Sequence, residues 1–298
     1  MQRAGPVAQP KLENDPTLSL PAPLRLRPLE IGDLLDETFR MYRRHFLLFA
    51  GISVLLAIPS AALVGYSYLS LFGSLFTQLS SPVYGPVTAA PDFNAVTGSL
   101  VALAIGGVIY LVLVPFFYGA VTFAACESAL GRPVTAGSVF RGVTRKYFGL
   151  LGYWVLIGVM SIAFCLIPLW LWFWVAWVAV MPIMFVEDAG LGAAMRRSWH
   201  MVQGRWWRTF LLILLVFIVS YVVRIGLAAF IGLGQALLTI VLSSAVGIAI
   251  AGAAGQIVDS LVNPILQIGV VLIYFDLRVR REALDLFQLA QRLPPPPE

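Results

Sequence analysis

Residues 148–185 read FGLLGYWVLIGVMSIAFCLIPLWLWFWVAWVAVMPIMF, 38 positions without one charged side chain. A bilayer core takes about 20 apolar residues per helical crossing, so this run holds two crossings and leaves no room for a loop. Ile167-Pro168 supplies the expected turn, and Trp170, Trp172 and Trp174 cluster just after it. Tryptophan favours the head-group level, with its ring in the acyl region and its N–H wet, so the cluster is expected to mark the outer surface. The segment reads as a tight transmembrane hairpin, which sets the fold class as an all-α membrane protein.

Charge patterning extends that reading along the chain. Of 20 basic residues, 19 fall in four patches: the N-terminal segment through Arg44, then Arg132 to Lys146, Arg196 to Arg208, and Arg278 to Arg292. Lys and Arg gather on the cytoplasmic side of a bilayer because moving them across is costly. Both ends and the internal basic loops are therefore expected inside. Overall, 59 % of residues are hydrophobic and 12 % charged, with a mean hydropathy of +0.87, against about 25 % charged in an average soluble domain. The +5 net charge complements anionic head groups and argues for membrane lipid, not nucleic acid, as a partner.

Residues 1–23 are polar and Pro-rich, without the apolar core of a signal peptide, and read as a disordered cytoplasmic tail. Residues 288–298, closing on LPPPPE, read as a second disordered tail. Crossings are expected from Phe46 to about Phe72 and, after an outer loop over 78–94, from Ala95 to Cys126, with bends at Gly106-Gly107 and Pro115. The stretch 209–275 has basic flanks on both sides, so its crossings are even in number. Two are expected, about 209–231 and 257–275, with 236–254 an extension of the last helix or a re-entrant segment. That makes six crossings in all.

A three-fold pattern underlies them. TFRMYRRHF (38–46), VFRGVTRKY (139–147) and SWHMVQGRW (198–206) align without gaps and each lead into a crossing. They place an aromatic at Phe39, Phe140 and Trp199. Six residues later stands a base (His45, Lys146, Arg205), followed by a second aromatic (Phe46, Tyr147, Trp206). Rings and bases at this spacing suit a helix lying in the interface, with its rings in lipid and its charges among phosphates. The returning helices each end on acid: Glu127, Glu187-Asp188 and Asp276. The expected architecture is thus three hairpins, each preceded by an amphipathic interfacial helix, in units of about 24–132, 133–190 and 191–287 within one membrane domain, 24–287.

Three stretches carry a resemblance: RPLEIGDLLDETFRMYRRHF (27–46), EDAGLGAAMRRSWHMVQGRWWRTF (187–210) and YFDLRVRREALDL (274–286). They resemble the bacterial family named for the membrane domain attached to some glycerophosphoryl diester phosphodiesterases. The chain also looks like related small six-span proteins that lack a catalytic domain. The resemblance implies six helices and a bacterial plasma (inner) membrane location. It does not bring the enzymatic name, because the phosphodiesterase chemistry belongs to a separate soluble barrel for which this chain has no counterpart.

Two charges stand inside apolar runs, Arg224 and Asp259. Arg224 follows Arg208 by sixteen residues and Asp259 precedes Asp276 by seventeen, which puts both roughly 24–25 Å from the inner surface. Charges there raise a functional hypothesis when a partner can be named, and each is expected to be the other's. Gln256, Asp259, Asn263 and Gln267 are spaced three, four and four, so they share one face of a helix. That face reads either as an interhelical hydrogen-bonded seam or as a polar crevice.

Ser-His-Asp, HExxH and phosphate-cradling glycine loops are absent from the sequence. His45 and His200 lie beside the membrane with no ligand-spaced neighbours, and Cys126 and Cys165 form neither a metal site nor an expected disulfide. The chain is therefore expected to be no enzyme and to hold no cofactor. Two functions remain: a membrane scaffold or module binding lipids, or other proteins encoded nearby, and a small-solute or lipid transporter or flippase using a crevice between the fifth and sixth crossings.

Overall fold

A computed structural model of the chain describes residues 30–79, 93–162, 167–241 and 244–282. The two expected tails, most of the outer loop and Cys165 lie outside the described residues. Among those described, all regular structure is helical: α1 (Ile31–Arg44), α2 (Phe46–Leu79), α3 (Phe93–Ala129), α4 (Ala136–Ile162), α5 (Ile167–Ala176), α6 (Val180–Val186), α7 (Leu191–Val202), α8 (Trp206–Val241) and α9 (Ser244–Glu282).

Among the described residues, four stretches are long and apolar enough to cross a membrane: Gly107–Ala129, Pro168–Val186, Trp206–Leu238 and Val246–Arg281. Phe46–Leu55 and Ala57–Tyr66 make a fifth when counted together, across a bend of 43°. Pro59 causes that bend, because it cannot donate to the carbonyl of Leu55 and its ring crowds that carbonyl. The described apolar part of α4, Phe148 to Ile162, is shorter than the roughly 20 residues a crossing takes. By contrast α2, α3, α8 and α9 run to 34, 37, 36 and 39 residues. At 1.5 Å per residue each exceeds about 50 Å, so they tilt within the bilayer or project from it.

The bundle is organised around α9. Against α8 its partners run in opposite order: Arg208 meets Asp276, Val216 meets Gly269 and Arg224 meets Asp259, which makes the pair antiparallel. Close approach is needed there, since a Cβ on Gly269 would stand 2.6 Å from Val216 Cγ1. Against α2 the order is also opposed, with Ser60 by Gln256 and Tyr68 filling the space left at Gly252. Against α3 it is parallel, Tyr118 meeting Asn263 and Thr122 meeting Gln267. The apolar core lies around the base-bearing end of the bundle, among Leu34, Phe49, Leu150, Ile183, Met201 and Leu272.

The aligned segments behave alike in part. Thr38, Val139 and Ser198, their first positions, are all buried. At the eighth position the helix breaks in two of the three, at His45 and at Arg205. The second unit differs from expectation: α4 runs unbroken from Ala136 to Ile162, so VFRGVTRKY is the start of the long helix and no separate interfacial helix exists there. The break before α8 uses Gly204 at φ +83°, a conformation costly for residues with a Cβ, whereas the break at His45 follows an arginine, Arg44, and needs no glycine.

Two further expectations change. Of the stretch 236–254, residues 236–241 end α8 and 244–254 begin α9, so the extension is shared by both helices. Ile167 and Pro168 open α5 instead of forming a turn, as suits a proline in a helix's first turn. The tryptophan cluster does not stand at the end opposite the bases. Trp172 stacks on Trp206 at 5.0 Å and accepts a hydrogen bond at its carbonyl from Trp206 Nε1, and Trp206 is two residues from Arg208. Tryptophan suits either interface, so its presence alone could not say which.

Candidate functional site

Proline shapes the middle of α9. Pro264 lacks an N–H for the carbonyl of Ser260, and next to that gap the Tyr42 hydroxyl of α1 donates to the carbonyl of Leu261 at 2.7 Å. The same relation recurs at Pro115, where the Tyr147 hydroxyl donates to the carbonyl of Val112 at 3.0 Å. In each case the carbonyl stands three residues before the proline, so aromatic side chains from the base-bearing segments brace both proline-containing helices.

On this part of α9 the polar stripe faces α2, α3 and α8. Arg224 Nε donates to Asp259 Oδ1 at 2.7 Å, and the two side chains are 45 % and 41 % exposed. The expected pair is thus present, and it is not sealed. Asn263 Nδ2 donates to the Tyr118 hydroxyl at 2.9 Å, and Gln256 Nε2 lies 3.4 Å from Ser60 Oγ. Deeper, Thr122 Oγ1 donates to Gln267 Oε1 at 3.1 Å, both residues buried. The stripe therefore serves two purposes: a closed hydrogen-bonded contact at Gln267 and an open region from Gln256 to Asn263.

The open region is a cavity of about 90 Å³ with Ser60, Tyr118, Arg224, Gln256, Asp259 and Asn263 in its wall, polar and roomy enough for several waters. A second cavity of about 190 Å³ adjoins it through Tyr118, Arg224 and Asn263, walled otherwise by Phe217, Tyr221 and Leu266. A third of about 180 Å³ continues past Tyr118 and Asn263 toward Gln267, among Trp154, Ile157 and Trp174. Tyr118 and Asn263 belong to all three. The main packing of α8 is against α9, with a smaller contact to α5, so the second cavity opens sideways between α3 and α8. The rim there is apolar and exposed, at Phe217, Tyr221 and Ile225.

The base-bearing end is a layer of ion pairs. Asp276, whose side chain is fully buried, meets Arg208 and Arg280. Glu187 takes Arg197 at 3.2 Å and the Tyr274 hydroxyl at 3.0 Å. Glu127 pairs with Arg132 at 3.1 Å. Lys146 lies 2.7 Å from Asp188 Oδ1 and Arg145 2.8 Å. The Lys146 hydrogen bond first, then its charge and that of Arg145, hold the Asp188 carboxyl below the usual aspartate range. Burial, and then the charge of Arg44, hold the His45 imidazole below its usual range.

The anchors are less uniform than their alignment. Phe140 is exposed beside Phe116, and Phe46 is exposed at the start of α2 against Tyr42. Phe39 is half-buried. Trp199 packs on Phe173, and Trp206 on Trp172 and Phe210, so both tryptophans serve protein contacts. Arg205 turns inward toward the carbonyl of Arg280, with one buried guanidinium nitrogen lacking a partner.

Sequence reasoning missed Ser60, Tyr118 and Thr122, the cavity-lining and bonding groups from other helices. Tyr118 and Thr122 are four apart on α3, one helical face, and that pairing was the available signal. Among the described residues no three His, Cys, Asp or Glu are grouped to hold a metal. Comparison with family models, with curated proteins and with solved structures finds no match for this chain.

Proposed function

We propose that this chain is a multi-pass protein of the bacterial plasma membrane, without catalytic activity, that binds membrane lipid in the crevice beside α9 and acts as a scaffold or partner-binding module. One observation carries the reading. The polar stripe of α9 borders an open cavity with a half-exposed charge pair, and that cavity continues to an apolar rim facing the lipid. The three motifs at 27–46, 187–210 and 274–286 support kinship with the six-span membrane-domain family, and the basic patches support cytoplasmic ends. Native mass spectrometry from gentle detergent tests the crevice. Wild type is expected to retain lipid that a Gln256→Leu/Asn263→Leu variant loses; equal retention by both would refute the crevice as the binding place.

A second reading, a transporter or flippase, is favoured by the line of three cavities sharing Tyr118 and Asn263. Reconstituted vesicles carrying a fluorescent lipid decide it, since only a flippase speeds loss of signal to an external quencher.

The topology of the second unit also has two forms. Six crossings follow from the length of 148–185. The Trp172–Trp206 stack favours instead a unit that enters the bilayer and leaves on its own side. Both forms keep the two chain ends on one face. A cysteine placed at residue 164, on a chain whose Cys126 and Cys165 are replaced by serine, and labelled from outside distinguishes them, reacting only if α4 crosses.

A further inference from the structure

We propose that the crevice selects a zwitterionic, amine-bearing phospholipid, with Arg224 taking the phosphate and Asp259 the ammonium. This rests on the lipid-binding reading above and adds the head-group class.

The argument starts from the charges. A crevice meant for anionic lipid would carry surplus cations, and this one carries a single cation and a single anion, 2.7 Å apart. A bound group that meets both without stranding either must itself hold one charge of each sign, because an uncompensated charge away from water is costly. Both side chains are partly open, so each can turn to a ligand without leaving the wall. Gln256, Asn263, Ser60 and Tyr118 line the same cavity and provide both donors and acceptors for phosphate oxygens and ammonium hydrogens.

The shape fixes the source as lipid. The polar cavity adjoins, at Arg224 and Asn263, the larger one walled by Phe217, Tyr221, Val262 and Leu266. That one opens between α3 and α8 onto exposed apolar side chains. A head group lies in the first and its chains leave through the second. A soluble zwitterion would gain nothing from the apolar half.

The test uses the full-length chain in detergent with phosphatidylethanolamine and phosphatidylglycerol of identical acyl chains, read by native mass spectrometry. Wild type is expected to hold the ethanolamine lipid about tenfold more tightly, one charge-assisted contact's difference. Arg224→Leu/Asp259→Leu, which removes both charges together, is expected to bring that ratio near one. Arg224→Lys keeps the cation and is expected to keep the preference, which guards against a folding defect in the double variant. Equal or tighter binding of phosphatidylglycerol to wild type overturns the proposal, as does a preference that survives the double change. Displacement of the lipid by free phosphoethanolamine at millimolar concentration would overturn the lipid source. Loss of all lipid dependence on Gln256 and Asn263 would instead overturn the crevice reading itself, whereas crevice-dependent binding without head-group preference removes only this inference.

Discussion

Arg224 and Asp259 stand near the middle of two helices that otherwise carry no charge between Thr209 and Phe275. Removing one leaves the other without its counter-charge, whereas removing both removes the problem. Arg224→Leu and Asp259→Leu are each expected to cost about 1–2 kcal/mol, discounted for their exposure, and the double change should recover at least half. Thermal midpoints in detergent check this, and strictly additive losses would show that the pair does not couple. Gly269 tests packing instead of charge. Gly269→Val forces its side chain into Val216 and is expected to cost about 1–3 kcal/mol. Val216→Ala, by making room, should return part of that loss in the combined variant. Asp188 gives a pH signature. Its carboxyl titrates below the usual range through Lys146 and Arg145, so its contribution is complete above the ordinary aspartate value and is lost as pH falls through the lowered one. Asp188→Asn should flatten that part of the acid limb of a midpoint-against-pH curve, and an unchanged limb would show that the pair adds nothing.

The three aligned segments share a buried first position yet differ in how they join the helix that follows. His45 and Arg205 interrupt the chain, and α4 does not break at Lys146. The junction before α8 depends on Gly204 at φ +83°. Gly204→Ala is expected to destabilise by about 1 kcal/mol, through backbone strain alone, because no atom lies within 4 Å of the added Cβ. Gly192→Ala, in the first turn of α7 with equally open space, should be neutral or stabilising. Comparable losses at both positions would mean that the left-handed turn is not what sets the junction. The helices α3 and α9 follow another rule, in which Tyr42 and Tyr147 hydroxyls cap carbonyls beside Pro264 and Pro115. Each tyrosine comes from a different unit than the proline it braces, so these bonds tie the repeats together.

Across the molecule, the sequence was most readable where a single helix holds the information. The spacing of Gln256, Asp259, Asn263 and Gln267 marks one face, and the charges of Arg224 and Asp259 name each other by depth. Ser60 was hidden because hydroxyls are common in apolar helices and only packing brings it to α9, whereas Tyr118 and Thr122 gave no more than a four-residue spacing on one face of α3. Trp172 misled for a different reason: its chemistry suits both interfaces, and only its stack on Trp206 reveals the neighbour. The bend in α2 was legible from Pro59 and overlooked, while the closed and open parts of the α9 stripe could not be told apart without the helices opposite. Whether that stripe is open is what the functional reading depends on. The most direct measurement is the reaction rate of single cysteines with a charged methanethiosulfonate reagent, on a chain whose Cys126 and Cys165 are replaced by serine. Gln256→Cys and Asn263→Cys should react quickly, with added lipid slowing them. Ile268→Cys, buried on α9, and Leu237→Cys, on the exposed apolar surface of α8, should both react slowly. Rates at 256 and 263 as slow as at 268 would mean a sealed seam and would contradict the crevice.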